Sequence, residues 1–359
     1  RNRRPDLAGK ITRIDVCGRE RDSTANIFFF HMNLLRGDSD AHKQLAEKDI
    51  SFIVEYDRWR GLYNDGQAHS SVALPELGLT FHAGEDFYHP LDGIFQIDSA
   101  IEGLHMRAGD SLGHALALGW DLERHDDSRG KATHIPRGLQ FDSLIWLHKT
   151  LIESKAPCCA PITKIELWLG KECQHFYGKI ISIDILHQLI IRQYGPLVSP
   201  QHCAHKQDHE NQCDVLWYQQ LYDSKVIAKR DCNTAIHNIV HDLRTEIGIA
   251  QTHVFRKIIE RGIVVEANPS SNLRVGGLPD ERDLPLAVMI NQAHDDLRIT
   301  INTDNPGVFG IRIENEYAIA WQALMTTAKL NRPQVLARLD KARKCGLELP
   351  ISRKRRLIS

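Results

Sequence analysis

In the stretch LTFHAGED (79–86) a short apolar run stops at His82, and Gly84, Glu85 and Asp86 follow at once. A neutral imidazole is a good ligand for Zn2+ or a similar divalent ion. Gly84 lets the backbone turn tightly just past the run. Glu85 is then offset from the histidine, near enough to exchange a proton with a metal-bound water or a substrate without being a ligand itself. A plainer reading also fits: a strand-end histidine bonded to a carbonyl, and a Glu-Asp pair at a helix N-terminus. Three further strings carry groups of this kind. GHA (113–115) offers His114, either a base beside an attacking water or a core histidine. TDNP (303–306) offers Asp304, a hard oxygen donor of the sort that completes His-rich zinc sites, although Asp-Asn-Pro-Gly is also a good turn. EANPSSN (266–272) reads as a strand leaving into a polar turn, with a helix N-cap at Ser270 or Ser271, and is assigned support rather than chemistry. The cluster His202, His205, His209 and Cys213 reads as a polar surface loop in preference to a second metal site.

Five segments share one pattern, an apolar β-rich run that stops at polar residues: 11–20, 79–86, 111–119, 263–272 and 299–307. Helical spacing lies between several of them, at 94–106 and at 252–259, where Gly262 closes the helix. Strands alternating with helices predict a parallel sheet with right-handed crossovers. Polar residues at the carboxyl ends of successive strands are where (β/α)8 barrels, the TIM-type fold, place their chemistry. His82 to His114 is 32 residues and Glu266 to Asp304 is 38, each fitting one βα unit; His114 to Glu266 is 152. The excess predicts a mainly helical insertion of roughly 110–130 residues. Its expected bounds are 122–249, with helices at 141–151, 180–194 and 235–247. The expected organisation is therefore a barrel part at 1–121 and 250–345, the insertion at 122–249, and a basic tail at 346–359 containing RKRR. Five strands fall short of eight, so the three N-terminal barrel strands are expected to precede Arg1.

The bulk properties narrow the classes. The 359 residues are 42% hydrophobic, enough for a large core, and the formal charge is −1, which gives no global field toward nucleic acid or an anionic membrane. No apolar run approaches the roughly 20 residues of a membrane span. Eight irregularly spaced cysteines without a CxxC pair predict reduced thiols in a cytoplasmic protein. No glycine-rich phosphate loop of the Walker type occurs.

In this order, HAGE, GDSLGH, E-x-x-P-x-S-N and T-D-x-P resemble the adenosine and AMP deaminases, metal-dependent hydrolases on a (β/α)8 barrel. IDVCGRE (14–20) is similar to that family's Asp-Leu-Ala-Gly-Asp-Glu strand. The resemblance spans about 11–121 and 250–345, and its longer wording is most similar to the large bacterial antiphage-defence branch, the RADAR deaminases first and the CRISPR-associated ATP deaminases second. It implies His82 and Asp304 as metal ligands, Glu85 as proton donor to the purine ring nitrogen N1, and His114 as the base that orients the metal-bound water. It also implies a backbone contact from Gly18 to the purine edge, and a substrate contact from Asn305. The implied cofactor is one Zn2+ or other divalent ion per complete site, and the implied substrate an adenine nucleoside or nucleotide. The defence branch further implies a homo-oligomer and a partner ATPase.

Two positions depart from the family pattern. Asn305 stands where the family has a second Asp, so contacts at purine N7 differ. The H-x-H of the first barrel strand, which supplies two ligands, occurs nowhere in the chain. Half the ligand shell is therefore expected from this chain, and little activity from it in isolation. The alternatives are a degenerate, non-catalytic deaminase-like subunit serving assembly or nucleotide binding, and another metal-dependent amidohydrolase acting on a pterin or pyrimidine.

Overall fold

The structure, a computed structural model, describes residues 12–18, 20–21, 25–36, 77–122, 134–155, 159–194, 233–235, 242–292 and 296–349. The clusters 202–213 and 353–356 lie outside the described residues.

The five expected strands form one parallel sheet. They are β1 (Arg13–Val16), β2 (Gly78–Ala83), β3 (Ser111–His114), β6 (Val264–Ala267) and β7 (Arg298–Ile301), in the order β1-β2-β3-β6-β7. Registers such as Asp15 with Thr80, His82 with Gly113 and Glu266 with Thr300 bring the carboxyl ends of all five to the same side. β-strand side chains alternate between faces. Leu79, Phe81 and Leu112 accordingly enter the core, while Thr80 and His82 take the other face.

Helices cover the apolar face. Helix α1 (Asn26–Arg36) packs on α2 (Pro90–Gly103). The N-terminus of α2 is fixed by a reciprocal cap: His89 Nδ1 accepts from Leu91 N at 3.1 Å, and Asp92 Oδ1 accepts from His89 N at 2.6 Å. The sequence places this helix at 94–106; the cap and Pro90 start it earlier, and it ends at Gly103. At the opposite end of the sheet, buried Asp110 bonds Leu79 N at 3.0 Å and pairs with Arg36 at 2.7 Å.

Between β3 and β6 the described residues form a two-stranded antiparallel pair, β4 (His134–Pro136) with β5 (Asn233–Ala235), and four helices. These are α3 (Arg137–Glu153), α4 (Cys159–Tyr177), α5 (Ile183–Tyr194) and α6 (Arg244–Glu260). Helix α3 has buried residues on all sides, because α2, α4, α5 and α6 each pack against it. The helix expected over 235–247 is corrected at both ends: Ala235 pairs with His134 in the strand ladder, and 244–247 belong to the start of α6, which also contains 252–259, while 236–241 lie outside the described residues. Helix α4 was not among the helices expected in the insertion.

After β6 come α7 (Pro269–Val275) and α8 (Pro285–Gln292); after β7 come α9 (Pro306–Phe309), α10 (Ile313–Thr326) and α11 (Arg332–Glu348). Helix α11 packs along β7 and continues three residues beyond 345, so the described chain is still helical where a tail was expected. Among the described residues no helix is long and apolar enough to cross a membrane.

Candidate active site

The carboxyl ends of the five strands surround a polar cavity of about 440 Å³. All six residues singled out in the sequence line it: Gly18, His82, Glu85, His114, Asp304 and Asn305. So do Asp15, Cys17 and Glu266, and the end of α11 through Gly346 and Leu349.

Two glycines make the arrangement possible. Gly113 faces His82 across the ladder, and a Cβ there would sit 2.6 Å from the imidazole Cδ2. Gly84 adopts φ +72° with Ile97 packed against it, so that a Cβ would lie 2.3 Å from Ile97 Cδ1. Past Gly113 the chain enters the left-handed region at His114 (φ 62°) and Ala115 (φ 49°). Two successive non-glycine residues with positive φ are strained, and strain of this kind collects at functional sites. The turn lets the His114 ring stand 4.9 Å from that of His82, edge to face.

His114 is 1% exposed. Its Nδ1 lies 2.6 Å from Asn272 Oδ1, and its Nε2 lies 3.3 Å from Glu85 Oε2. The amide oxygen can only accept, which puts the ring hydrogen on Nδ1 and the lone pair on Nε2. Burial pulls the imidazole down to about 4, against the Asn272 bond and nearby Asp304 and Asp15. Glu85 moves the other way. Burial raises it to about 7, opposed by His82 and reinforced by Asp304 and Asp86. His82 Nε2 lies 3.4 Å from Asp15 Oδ1. Burial works against its charged form, but the Asp15 bond and the charges of Asp15, Glu85 and Glu266 together raise its pKa.

Asp304 is held by Ser271 Oγ, which donates to Oδ2 at 2.7 Å, and by Asn305 Nδ2 at 3.2 Å from Oδ1. Glu266 accepts from Thr80 Oγ1 at 3.2 Å and lies 3.7 Å from Arg13 Nη2. The cap expected at Ser270 or Ser271 is corrected: both serines lie inside α7, whose N-cap is Asn268. Buried Glu316 of α10 accepts from Ser270 N at 2.8 Å and from Ser270 Oγ at 2.5 Å, doing a cap's work from another helix. EANPSSN thus contributes contacts to both Asp304 and His114.

His82, Glu85 and His114 offer one ligand atom each within 4.8 Å of one another, the one such group among the described residues. Two imidazoles and a carboxylate form a donor set that suits zinc and similar divalent ions. The set differs from the expected pair His82 and Asp304, with Asp304 lining the same cavity. Sequence reasoning missed Asp15, Ser271 and Asn272. All three had a signal, Asp15 in IDVCGRE and Ser271 and Asn272 as the S-N of E-x-x-P-x-S-N, but the motifs did not give their roles.

A parallel sheet that gathers imidazoles and carboxylates at its carboxyl ends, with an acid held near neutrality beside an uncharged base, has the layout of a hydrolytic, proton-transferring site. The comparisons with known proteins agree with that class. Residues 234–358 match the family model described as adenosine deaminase. An adenine deaminase of Sinorhizobium medicae (strain WSM419) is 31% identical over 86 residues, 24% of this chain and 25% of that protein. An aminodeoxyfutalosine deaminase of Acidothermus cellulolyticus (strain ATCC 43068 / DSM 8971 / 11B) is 41% identical over 63 residues, 18% of this chain and 17% of that protein. The matches therefore span a quarter or less of these relatives. They support the adenosine deaminase family and a deaminase type of C–N hydrolase. Asp304 and Asn305 fall inside the family-model match, and His82, Glu85 and His114 outside it.

Proposed function

We propose that this chain carries five strands of a (β/α)8 deaminase barrel and that its cavity serves the hydrolytic deamination of adenine nucleosides or nucleotides, adenosine or ATP giving inosine or ITP. In this reading 1–121 and 250–345 are barrel, 122–249 is an insertion, and the ligands absent from these five strands come from the remaining strands of the barrel. The observation that carries the reading is the convergence of His82, Glu85 and His114 within 4.8 Å.

A divalent ion held by His82 and Asp304 would supply Lewis acidity and lower the pKa of a bound water. The side chains account for the proton movements. Glu85, protonated up to about pH 7, gives its proton to purine N1 as a water adds at C6. His114, uncharged above about pH 4, receives the water's proton at Nε2, while Asn272 holds Nδ1. As the C6–N bond breaks, the amino group takes the proton from His114 and leaves as ammonia, and the C6 hydroxyl gives its proton to Glu85, which forms the 6-oxo product and resets both side chains. Gly18 has open space where a side chain would stand, which suits a flat ring edge against its backbone. Asn305 lines the cavity and offers an amide to the purine.

The finer reading is a role in antiphage defence as a RADAR-type deaminase, homo-oligomeric and working with a partner ATPase. The motif wording HAGED, GDSLGHALALG and NTDNPG supports it. The test is product analysis with the whole protein and Zn2+, on adenosine, ATP and an adenine-containing RNA, with pterin and pyrimidine amines as controls. Inosine or ITP with one ammonia per turnover is expected. Metal-free protein that binds nucleotide without releasing ammonia would contradict the reading and favour the non-catalytic subunit.

A further inference from the structure

Three successive amides at the turn after β2 point at one carboxylate. Glu20 accepts from Gly84 N at 2.7 Å, from Glu85 N at 3.0 Å and from Asp86 N at 3.2 Å. The turn has left the strand ladder, so these N–H groups need acceptors elsewhere. Successive N–H groups around a positive-φ residue form a concavity that takes an anion, and here the anion is a side chain of the same protein. The next residue continues the grip. Arg21 Nε lies 3.0 Å from Asp86 Oδ1, Nη2 donates to Phe87 O at 2.6 Å, and the guanidinium sits 4.8 Å above the Tyr88 ring. Glu20 and Arg21 together hold every residue from 84 to 88. They follow Gly18, which lines the cavity, and the turn they hold carries Glu85, 3.3 Å from His114.

We infer that Glu20 is a positioning residue for this site: its carboxylate, backed by Arg21, fixes the 84–86 turn so that the Glu85 carboxyl reaches His114 and the cavity. Its consequence for turnover rests on the proposed deamination; the grip on the turn does not. Burial raises Glu20 to about 7 against the pull of the three amides, and above that pH these bonds are charge-assisted, among the stronger ones available. A reacting group displaced by about 1 Å loses on the order of 100-fold in rate.

The experiment uses the whole protein and the variants Glu20→Gln, Glu20→Asp and Arg21→Ala. Hydrogen exchange of the peptide covering 84–88 reads the grip, and kcat and KM for adenosine or ATP read its effect. Glu20→Gln is expected to lose protection in that peptide alone and to lower kcat by about 10- to 100-fold with KM within about twofold of wild type. Glu20→Asp is expected to restore part of both. Arg21→Ala, a milder change at a half-exposed residue, is expected to lower kcat severalfold and guards against a Glu20 variant that fails to fold. Unchanged exchange at 84–88 in Glu20→Gln overturns the inference. So does lost protection with kcat intact, or a loss that falls on KM instead. A wild-type protein that deaminates no adenine substrate overturns the proposed function, and the grip is then decided by exchange alone.

Discussion

Two clusters of buried acids and bases, one in the cavity and one in the helical layer behind it, are built from similar groups with opposite results. Behind the sheet, Lys257 of α6 pairs with Asp98 at 2.5 Å and Glu102 at 2.8 Å of α2, Arg261 joins Glu102 at 2.7 Å, and Trp146 Nε1 donates to Asp98 at 2.8 Å. Burial opposes charge there too, but the partners outweigh it: Lys257 is raised and Glu102 lowered, so both charged forms are favoured. In the cavity the partners win at His82, but burial wins at the two groups beside it. Glu85 rises to about 7 and His114 falls to about 4. The helical cluster is matched charge for charge and holds three elements together. The cavity cluster holds an acid near neutrality beside an uncharged base, the kind of perturbation that collects at functional sites.

The sharpest way to break this contrast is to neutralise one member of each cluster. In the whole protein, Glu85→Gln should reduce the deamination rate by about 10²- to 10⁴-fold, as loss of a general acid does, while bound metal is retained. Loss of metal in that variant would make Glu85 a ligand instead of a proton donor. Lys257→Met should do the reverse, costing about 3 kcal/mol of stability, as removal of one partner from a buried ion pair does, with kcat nearly unchanged. Urea unfolding compared with kcat would show it, and a variant as stable as wild type would show the matched cluster to be dispensable.

Asn272→Ala tests the step between. It removes the partner of His114 Nδ1 and leaves the metal ligands alone. A rate loss of about 10- to 100-fold is expected, typical of contacts behind a metal site, along with a shifted pH profile. A profile that does not move would separate Asn272 from the state of the imidazole.

The smallest effect concerns His187 of α5, which burial and the neighbouring His148 push down to about 4. Its Nε2 lies 2.9 Å from His148 Nδ1. The unfolded imidazole binds a proton near 6.5 and the folded one only near 4, so the unfolded state takes up more protons between those values. Folding stability should therefore fall as pH drops from about 6.5 toward 4. His187→Asn should fall less steeply across that window and match wild type's slope above it, as chemical unfolding at several pH values would show.

The strands and the polar residues at their ends were legible because both follow from local pattern: a short apolar run, then a glycine or a charge. His82, Glu85, His114 and Asp304 were found in this way, and the parallel order β1-β2-β3-β6-β7 matches their chain order. What joins them was not legible. Asn272 meets His114 from 158 residues away, and Glu20 meets the HAGE turn from 64 to 66 away. Both partners close a motif, Asn272 in E-x-x-P-x-S-N and Glu20 in IDVCGRE, but which residue each one meets was hidden, because a long-range contact leaves no trace in local spacing. Helix α3 was placed only approximately for a related reason: buried residues on all its sides leave no polar stripe to mark its limits. Asn305 in place of a second carboxylate was visible in the sequence, and the structure places it in the cavity lining.

The most direct test of the central claim is tightly bound divalent metal per chain, measured by elemental mass spectrometry on the whole protein and on His82→Ala. The account predicts close to one equivalent in the wild type and little in the variant. Metal-free wild type, or the same metal content in both, would contradict a metal-dependent site at the ends of these strands.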